Sequence, residues 1–238
     1  MSRRGVLLAA TALLLAGGPG RATAGASVVP NRAADYAADD RPWLACGLAQ
    51  ALDVSLDGPA RPYHVEWRRC GPPQARWGAD GKTIEYPTHF VVVTRGASAP
   101  LAIFDNREEP ELSYIESVRA MRFTADGREQ LLVVSGIYGT GAAWELCALG
   151  LVKGALDCWD FPDLGPTTTP QLAADEEIWK SRLAAVADDR LLVEALVYDR
   201  NHDANCCPSR GSLFVELRPA AGRFEPGRVW RASGKADP

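Results

Sequence analysis

The 238-residue sequence predicts an all-β fold, an antiparallel meander of repeated four-stranded, propeller-like sheets, with a two-sheet β-sandwich as the alternative. Three observations predict it. Short apolar runs recur along the chain between Gly, Pro and Asp turn residues. A block near residue 120 is echoed near residue 185. The six cysteines are even in number, and the spacing of Cys147 and Cys158 suits a disulfide bond across a hairpin.

The chain opens Met1-Ser2-Arg3-Arg4, runs through apolar residues 6–16 and reaches Ala22-Thr23-Ala24, the small-residue pattern of a signal-peptidase site. Residues 1–24 therefore read as a signal peptide, with cleavage after Ala26 the alternative, and the apolar run is too short to span a bilayer. Arg3-Arg4 also fits a twin-arginine signal, although the ordinary secretory n-region is preferred. No cysteine lies near the cleavage site to accept lipid. Loss of this segment removes three arginines and no acid, taking the formal charge from -4 to -7. An acidic product argues against nucleic acid as a partner. The expected location is periplasmic or secreted, with no membrane span in the mature chain.

Residues 25–42 lack periodicity and read as a flexible leader, and residues 43–238 as a single β-rich domain. Residues 43–52 suggest one or two helical turns before the Asp57-Gly58-Pro59 turn signal. Strands are expected at 63–68, 83–94, 101–104, 118–123, 130–135, 144–149, 156–161, 183–186, 191–198, 213–217 and 223–230. The echo relates units at about 117–162 and 180–231. In each, a Leu-Leu-Val strand (Leu131-Leu132-Val133, Leu191-Leu192-Val193) is followed by a loop, an alternating strand and a strand ending in tryptophan, Trp159 or Trp230. Strands without alternation should be covered on both faces. Leu213, Val215 and Leu217 alternate with Phe214 and Glu216, which suggests a peripheral strand. A less regular third unit precedes residue 110. Three units are fewer than the roughly four blades that closure of a propeller requires.

Sequence proximity pairs Cys46 with Cys70. Cys147 and Cys158 are placed opposite each other by a turn at Leu151-Val152-Lys153-Gly154. Cys206 and Cys207 are left with one another, although neighbouring Cα atoms about 3.8 Å apart lie below the usual disulfide span.

Phe123-Thr124-Ala125-Asp126-Gly127-Arg128-Glu129-Gln130-Leu131-Leu132-Val133-Val134, with Gly136 and Gly139-Thr140-Gly141 beyond, resembles a degenerate FG-GAP or VCBS-type β repeat. That family's Asp-rich turn binds calcium through several carboxylates, of which only Asp126 is kept here. The loop Asp203-Ala204-Asn205-Cys206-Cys207-Pro208-Ser209 is similar to a Cys-Cys-Pro-Ser segment of LppP/LprE-type cell-envelope lipoproteins. Neither resemblance implies a defined chemistry.

Candidate chemistry is sparse. Thiolates of Cys206 and Cys207 with His202 and Asp203 suit a soft metal or a redox role, against a simple loop staple. Asp105, Glu108, Glu109 and Glu111 form an acidic cluster from which Asp105 and Glu109 are the pair a glycosidase-like hydrolase would use; the plainer reading is a solvated loop. Gly136, Gly139 and Gly141 precede no Lys-Ser/Thr and read as a bulge and turn, not a phosphate cradle. Among His64, His89 and His202, His89 reads as a buried, hydrogen-bonded core residue. Trp159 and Trp230 read as core, whereas Trp77, beside Gly78, is free to bind.

The function expected is that of an exported, non-enzymatic β-domain binding a protein or glycan partner in the cell envelope through Trp77, Tyr138, His202, Asp203 and Asn205. No cofactor and no metal are assigned. The alternatives are a secreted hydrolase with dispersed loop carboxylates and a soft-metal or thiol-redox protein at Cys206 and Cys207.

Overall fold

The computed structural model describes residues 41–60, 62–96, 99–107, 113–123, 128–137, 144–187, 189–204 and 207–232. Residues 1–24, expected to form a signal peptide, and residues 25–40 of the expected leader lie outside them. The described chain is mostly strands in antiparallel sheets, with one short helix, α1 (Gly165–Thr168). The first sheet holds β1 (Gly47–Val54), β2 (Tyr63–Cys70), β5 (Thr88–Thr94) and β6 (Ala102–Asp105) in that order. Between β2 and β5 a small hairpin departs, β3 (Arg76–Trp77) paired with β4 (Ile84–Glu85). The second sheet holds β7 (Ser113–Met121), β8 (Gln130–Ile137), β9 (Trp144–Val152) and β10 (Ala155–Cys158). The third holds β11 (Glu176–Ala187), β12 (Arg190–Asp199), β13 (Ser212–Ala220) and β14 (Arg223–Arg231).

Period-two alternation explains how the sheets stack. On β8, Leu131 and Val133 join Val65, Val91, Val93 and Phe104 of the first sheet in one core. Leu132 and Val134 point the other way and join Leu191, Val193, Val215 and Leu217 of the third sheet in a second core. All four β8 side chains are at most 3% exposed. The second sheet is therefore the filling between the other two, which is why β8 reads without alternation. On β12, by contrast, Leu191 and Val193 are buried while Leu192 is only half-buried, so its Leu-Leu-Val run is covered on one face. β13 has the one apolar face its alternation implies, but it lies inside its sheet between β12 and β14. The third sheet is the outermost of the stack, and that decides the pattern.

The expected helix at 43–52 is replaced by a 3₁₀ turn, Pro42–Ala45, and then β1. Leu52 and Val54 reach the first core from alternate positions of β1, a burial that a helix would forgo. Trp43 covers the outer face of the first sheet with Phe90, Val92 and Ile103, held there by the Cys46–Cys70 disulfide. The single strand expected at 83–94 is broken at Tyr86-Pro87, since proline offers no N–H to the ladder.

Cys147 and Cys158 are bonded, with Cα atoms 5.2 Å apart. Cys158 stands opposite Leu149, so the bond runs diagonally along one face instead of directly across. The hairpin turns at Lys153 and Gly154, both with positive φ (51° and 85°), the pattern of a type I′ turn. β10 ends at Cys158, and Asp160 then bridges to Arg223 of the third sheet: its N–H donates to the Gly222 carbonyl at 3.2 Å and its own carbonyl accepts the Phe224 N–H at 2.8 Å. Trp159 lies in the second core against Phe123 and Phe224. Trp230, its counterpart in the sequence, is half-buried and stacks on Phe214, outside the cores. Gly136 makes no bulge; the ring of Tyr114 crosses over it, and a Cβ there would lie 2.3 Å from Tyr114 Cζ.

His89 is buried as expected, 3% exposed, and its Nδ1 accepts the Trp67 indole N–H at 3.1 Å. The ring proton therefore sits on Nε2, which has no partner among the described residues. Burial, and secondarily Arg69, lowers the His89 pKa to about 4. In the unfolded chain the ring titrates near 6.5, so between these values only the unfolded state carries the proton. Stability from this group is complete above pH 6.5 and is lost as pH falls toward 4, by about 3 kcal/mol in all. Urea midpoints should fall between pH 6.5 and 5 in the wild type, and that slope should vanish in His89→Gln.

Gly150 is tested separately. A Cβ there would lie 2.8 Å from Trp159 Nε1, within a packed core. Gly150→Ala should destabilise by roughly 1–3 kcal/mol in urea titrations, with a shifted tryptophan emission in the folded state.

Candidate functional site: the rim of long connections

The two longest connections between neighbouring strands of one sheet, residues 71–87 and 200–211, leave at the same end of the sheets, where the β6–β7 and β8–β9 links also lie. At the other end lie the β1–β2, β5–β6, β7–β8 and β11–β12 links and the tight turns at 153–154 and 221–222. The sheets are aligned end to end by specific contacts. At the short-turn end, the Ser55 N–H donates to Glu129 Oε2 (2.9 Å) and the Glu129 N–H to the Ser55 carbonyl (3.0 Å). At the rim, buried Asn106 accepts the His89 N–H (2.7 Å) and donates Nδ2 to the carbonyls of Pro87 (3.2 Å) and Ser113 (2.7 Å). One side chain thus ties the base of the 71–87 excursion to both neighbouring strands.

Trp77 stands on that excursion and is 67% exposed, facing Ile84 across the two-residue ladder. The hairpin is ordered from its own residues. Asp80 Oδ1 accepts the N–H groups of Lys82 (2.9 Å) and Thr83 (3.0 Å), and the Gly78 N–H donates to the Thr83 carbonyl at 2.8 Å. These bonds, that from Thr83 N–H foremost, hold the Asp80 carboxyl below its usual range. Arg76 Nε pairs with Glu85 at 2.9 Å. An aromatic ring is thereby presented to solvent on a stiff support. Leu44 and Leu48, which flank Cys46 beside the same end of the first sheet, are also exposed.

The 200–211 connection is built on carboxylates. Asp199 accepts the Asn201 N–H (2.9 Å), His202 Nδ1 (3.0 Å) and a guanidinium N–H of Arg210, and these three hold it well below the carboxylate range. Asp203 Oδ2 accepts the N–H groups of Asp199 (2.7 Å) and Ser209 (2.8 Å), which lower its pKa. Beneath them, burial disfavours ionisation of Glu176, but the bonds from both Nη atoms of Arg231 and from the Ala173 N–H, with the charge of Arg210 nearby, together keep the carboxyl low. These acids are anionic at neutral pH and committed to the loop, so they suit scaffolding and not proton transfer.

Of the residues predicted to bind, Trp77 and His202 are exposed, the latter with 79% of its side chain open. Asp203 is turned inward as a staple. Tyr138 and Asn205 lie outside the described residues. Cys206 does as well; Cys207 is disulfide-bonded, and a thiolate metal site there would first need its reduction. Asp105 accepts the Arg107 N–H at 2.9 Å, while Glu108, Glu109 and Glu111 lie outside the described residues. No group of three His, Cys, Asp or Glu side chains among the described residues is arranged to hold a metal ion. No helix among them is long and apolar enough to cross a membrane.

Trp179, at a bulge in β11, is the exposed aromatic that sequence reasoning missed. Its signal was the β-favouring Ile178-Trp179 pair between Glu177 and Lys180, upstream of where the strand was expected to begin. No family model, curated protein or solved structure matches the chain.

Replacing Asp203 by Ala removes the acceptor shared by two backbone N–H groups of the loop. Hydrogen exchange at Ser209 and Asp199 should accelerate at least about ten-fold in Asp203→Ala, with the amides of β8 unchanged.

Proposed function

We propose that the chain is an exported, non-enzymatic β-domain that binds a protein or glycan partner in the cell envelope through the rim of long connections. The single observation that carries this reading is Trp77. A large aromatic side chain that is 67% exposed, on a hairpin locked by Asp80 and anchored at Cys70 and Pro87, loses little entropy on binding. Disulfides at Cys46–Cys70 and Cys147–Cys158 fit an oxidising compartment, periplasmic or extracellular. The signal-like N-terminus and the resemblance of the Cys-Cys-Pro-Ser loop to envelope lipoproteins support the same setting.

A photo-crosslinker placed at residue 77 in producing cells should form adducts with one envelope component, and one at Lys153, on the opposite end, should not. Equal labelling at both positions would refute the rim. Turnover of an ester, glycoside or peptide substrate that a point variant abolishes would refute the non-enzymatic reading. Once that component is purified, Trp77→Ala should weaken binding by about 2 kcal/mol, roughly thirty-fold, without moving the urea midpoint.

A further inference from the structure

Five of the six large sheet faces in the stack are covered. Both faces of the second sheet and the inner faces of the first and third make the two main cores, and the outer face of the first sheet lies under Trp43 and Cys46. The outer face of the third sheet belongs to no core among the described residues. Register places Tyr198, Glu194, Phe214 and Trp230 on it.

Its composition is specific. Two aromatic pairs stack there, Trp179 on Tyr198 at 5.1 Å and Phe214 on Trp230 at 5.7 Å, each within 19° of parallel. Tyr198 is fully buried while Trp179 above it is 43% exposed, so the exposed surface of Trp179 is the side turned away from Tyr198. The guanidinium groups lie on the Phe214–Trp230 side, Arg182 in the cross-strand row Arg182, Glu194, Phe214, Trp230. Arg182, with 55% of its side chain exposed, bonds Glu194 through Nε, and Arg228 lies 5.2 Å from the centre of the Trp230 ring. By register the face carries Lys180, Arg182, Arg190, Arg218, Arg223 and Arg228 against four glutamates. That is an excess of two positive charges on a chain of formal charge -4.

We infer that this face is a second binding surface, distinct from the Trp77 rim, for an acidic polysaccharide bearing carboxylated sugars. Aromatic faces stack on sugar rings, and Arg228, which makes no ion pair among the described residues, is a guanidinium open to a sugar carboxylate, while Arg182, Arg190, Arg218 and Arg223 are paired with Glu194, Glu216 and Glu225 and contribute the positive balance of the face. Trp179 and Trp230 stand on β11 and β14, about 14 Å apart across the sheet and roughly 10 Å apart along it, about 17 Å in all, a separation suited to a polymer. Nucleic acid fits less well, because a phosphate on every residue would meet those glutamates with a positive excess of only two.

The test is affinity electrophoresis and calorimetry of the full exported chain with polygalacturonate, alongside dextran, polyglutamate and oligothymidine. Polygalacturonate should bind and dextran should not. Trp179→Ala and Arg182→Gln should each weaken binding at least ten-fold, with Trp77→Ala neutral. Should Trp179→Ala fail to fold, Arg182→Gln and the exposed Arg228→Gln carry the test. No binding to polygalacturonate overturns the proposal. So does polyglutamate binding equally well and indifferent to Trp179, tighter binding of oligothymidine, or a dimer that Trp179→Ala dissolves in sedimentation. Because Trp77 is outside this face, failure here leaves the rim reading standing, and failure of the rim leaves this surface standing.

Discussion

Four consecutive side chains of β8, Leu131 to Val134, face alternately into two cores, and the stack exists because both are filled. Each such burial contributes roughly 1.5–3 kcal/mol, but the constraint is geometric as much as energetic. A one-residue slip of β8 would exchange the two sets and misalign both seams at once. The flanking sheets are therefore registered against the same strand. Their long connections emerge at the same end for that reason, with the Ser55–Glu129 pair holding the alignment at the opposite end.

That shared end is ordered by carboxylates and one amide instead of by apolar packing. Asn106 joins three chain segments, Asp80 closes the hairpin turn, and Asp199 and Asp203 organise the connection before β13. Acceptors already saturated by backbone N–H groups make loops stiff and proton transfer unfavourable. A rim built this way suits recognition, where ordering costs are met at folding and not on encounter. The outer face of the third sheet follows another logic, with aromatic pairs and guanidinium groups in the positions that a neighbouring sheet occupies elsewhere in the stack.

Much of the fold was legible because its signals are local. β8 announced double coverage through its missing alternation. Lys153-Gly154 announced a tight turn, and with it the pairing of Cys147 and Cys158. β1 was misread because Trp43 to Leu52 lacks strict alternation, and its strand state comes from pairing with β2. Trp159 and Trp230 looked equivalent, yet one lies in a core and the other on an open face. Nothing near either residue encodes which side of its sheet will be covered. The candidate site was half legible: Trp77 was marked by its glycine-rich surroundings, while the inward turn of Asp203 depends on Ser209 and Asp199 folding back onto it.

Most strand positions, the tight turn at Lys153-Gly154 and the Cys46–Cys70 and Cys147–Cys158 pairings follow from the amino-acid sequence itself, since each rests on residues close together in the chain or on period-two alternation. Tertiary structure alone decided the order of sheets in the stack, the common end at which the 71–87 and 200–211 connections leave, the exposure of Trp179 and the half-buried position of Trp230. Those depend on which sheet lies against which. Face-to-face packing is set by side chains far apart in sequence that share a core, Val133 and Val91 in one and Val134 and Val215 in the other, and no local pattern specifies the partner.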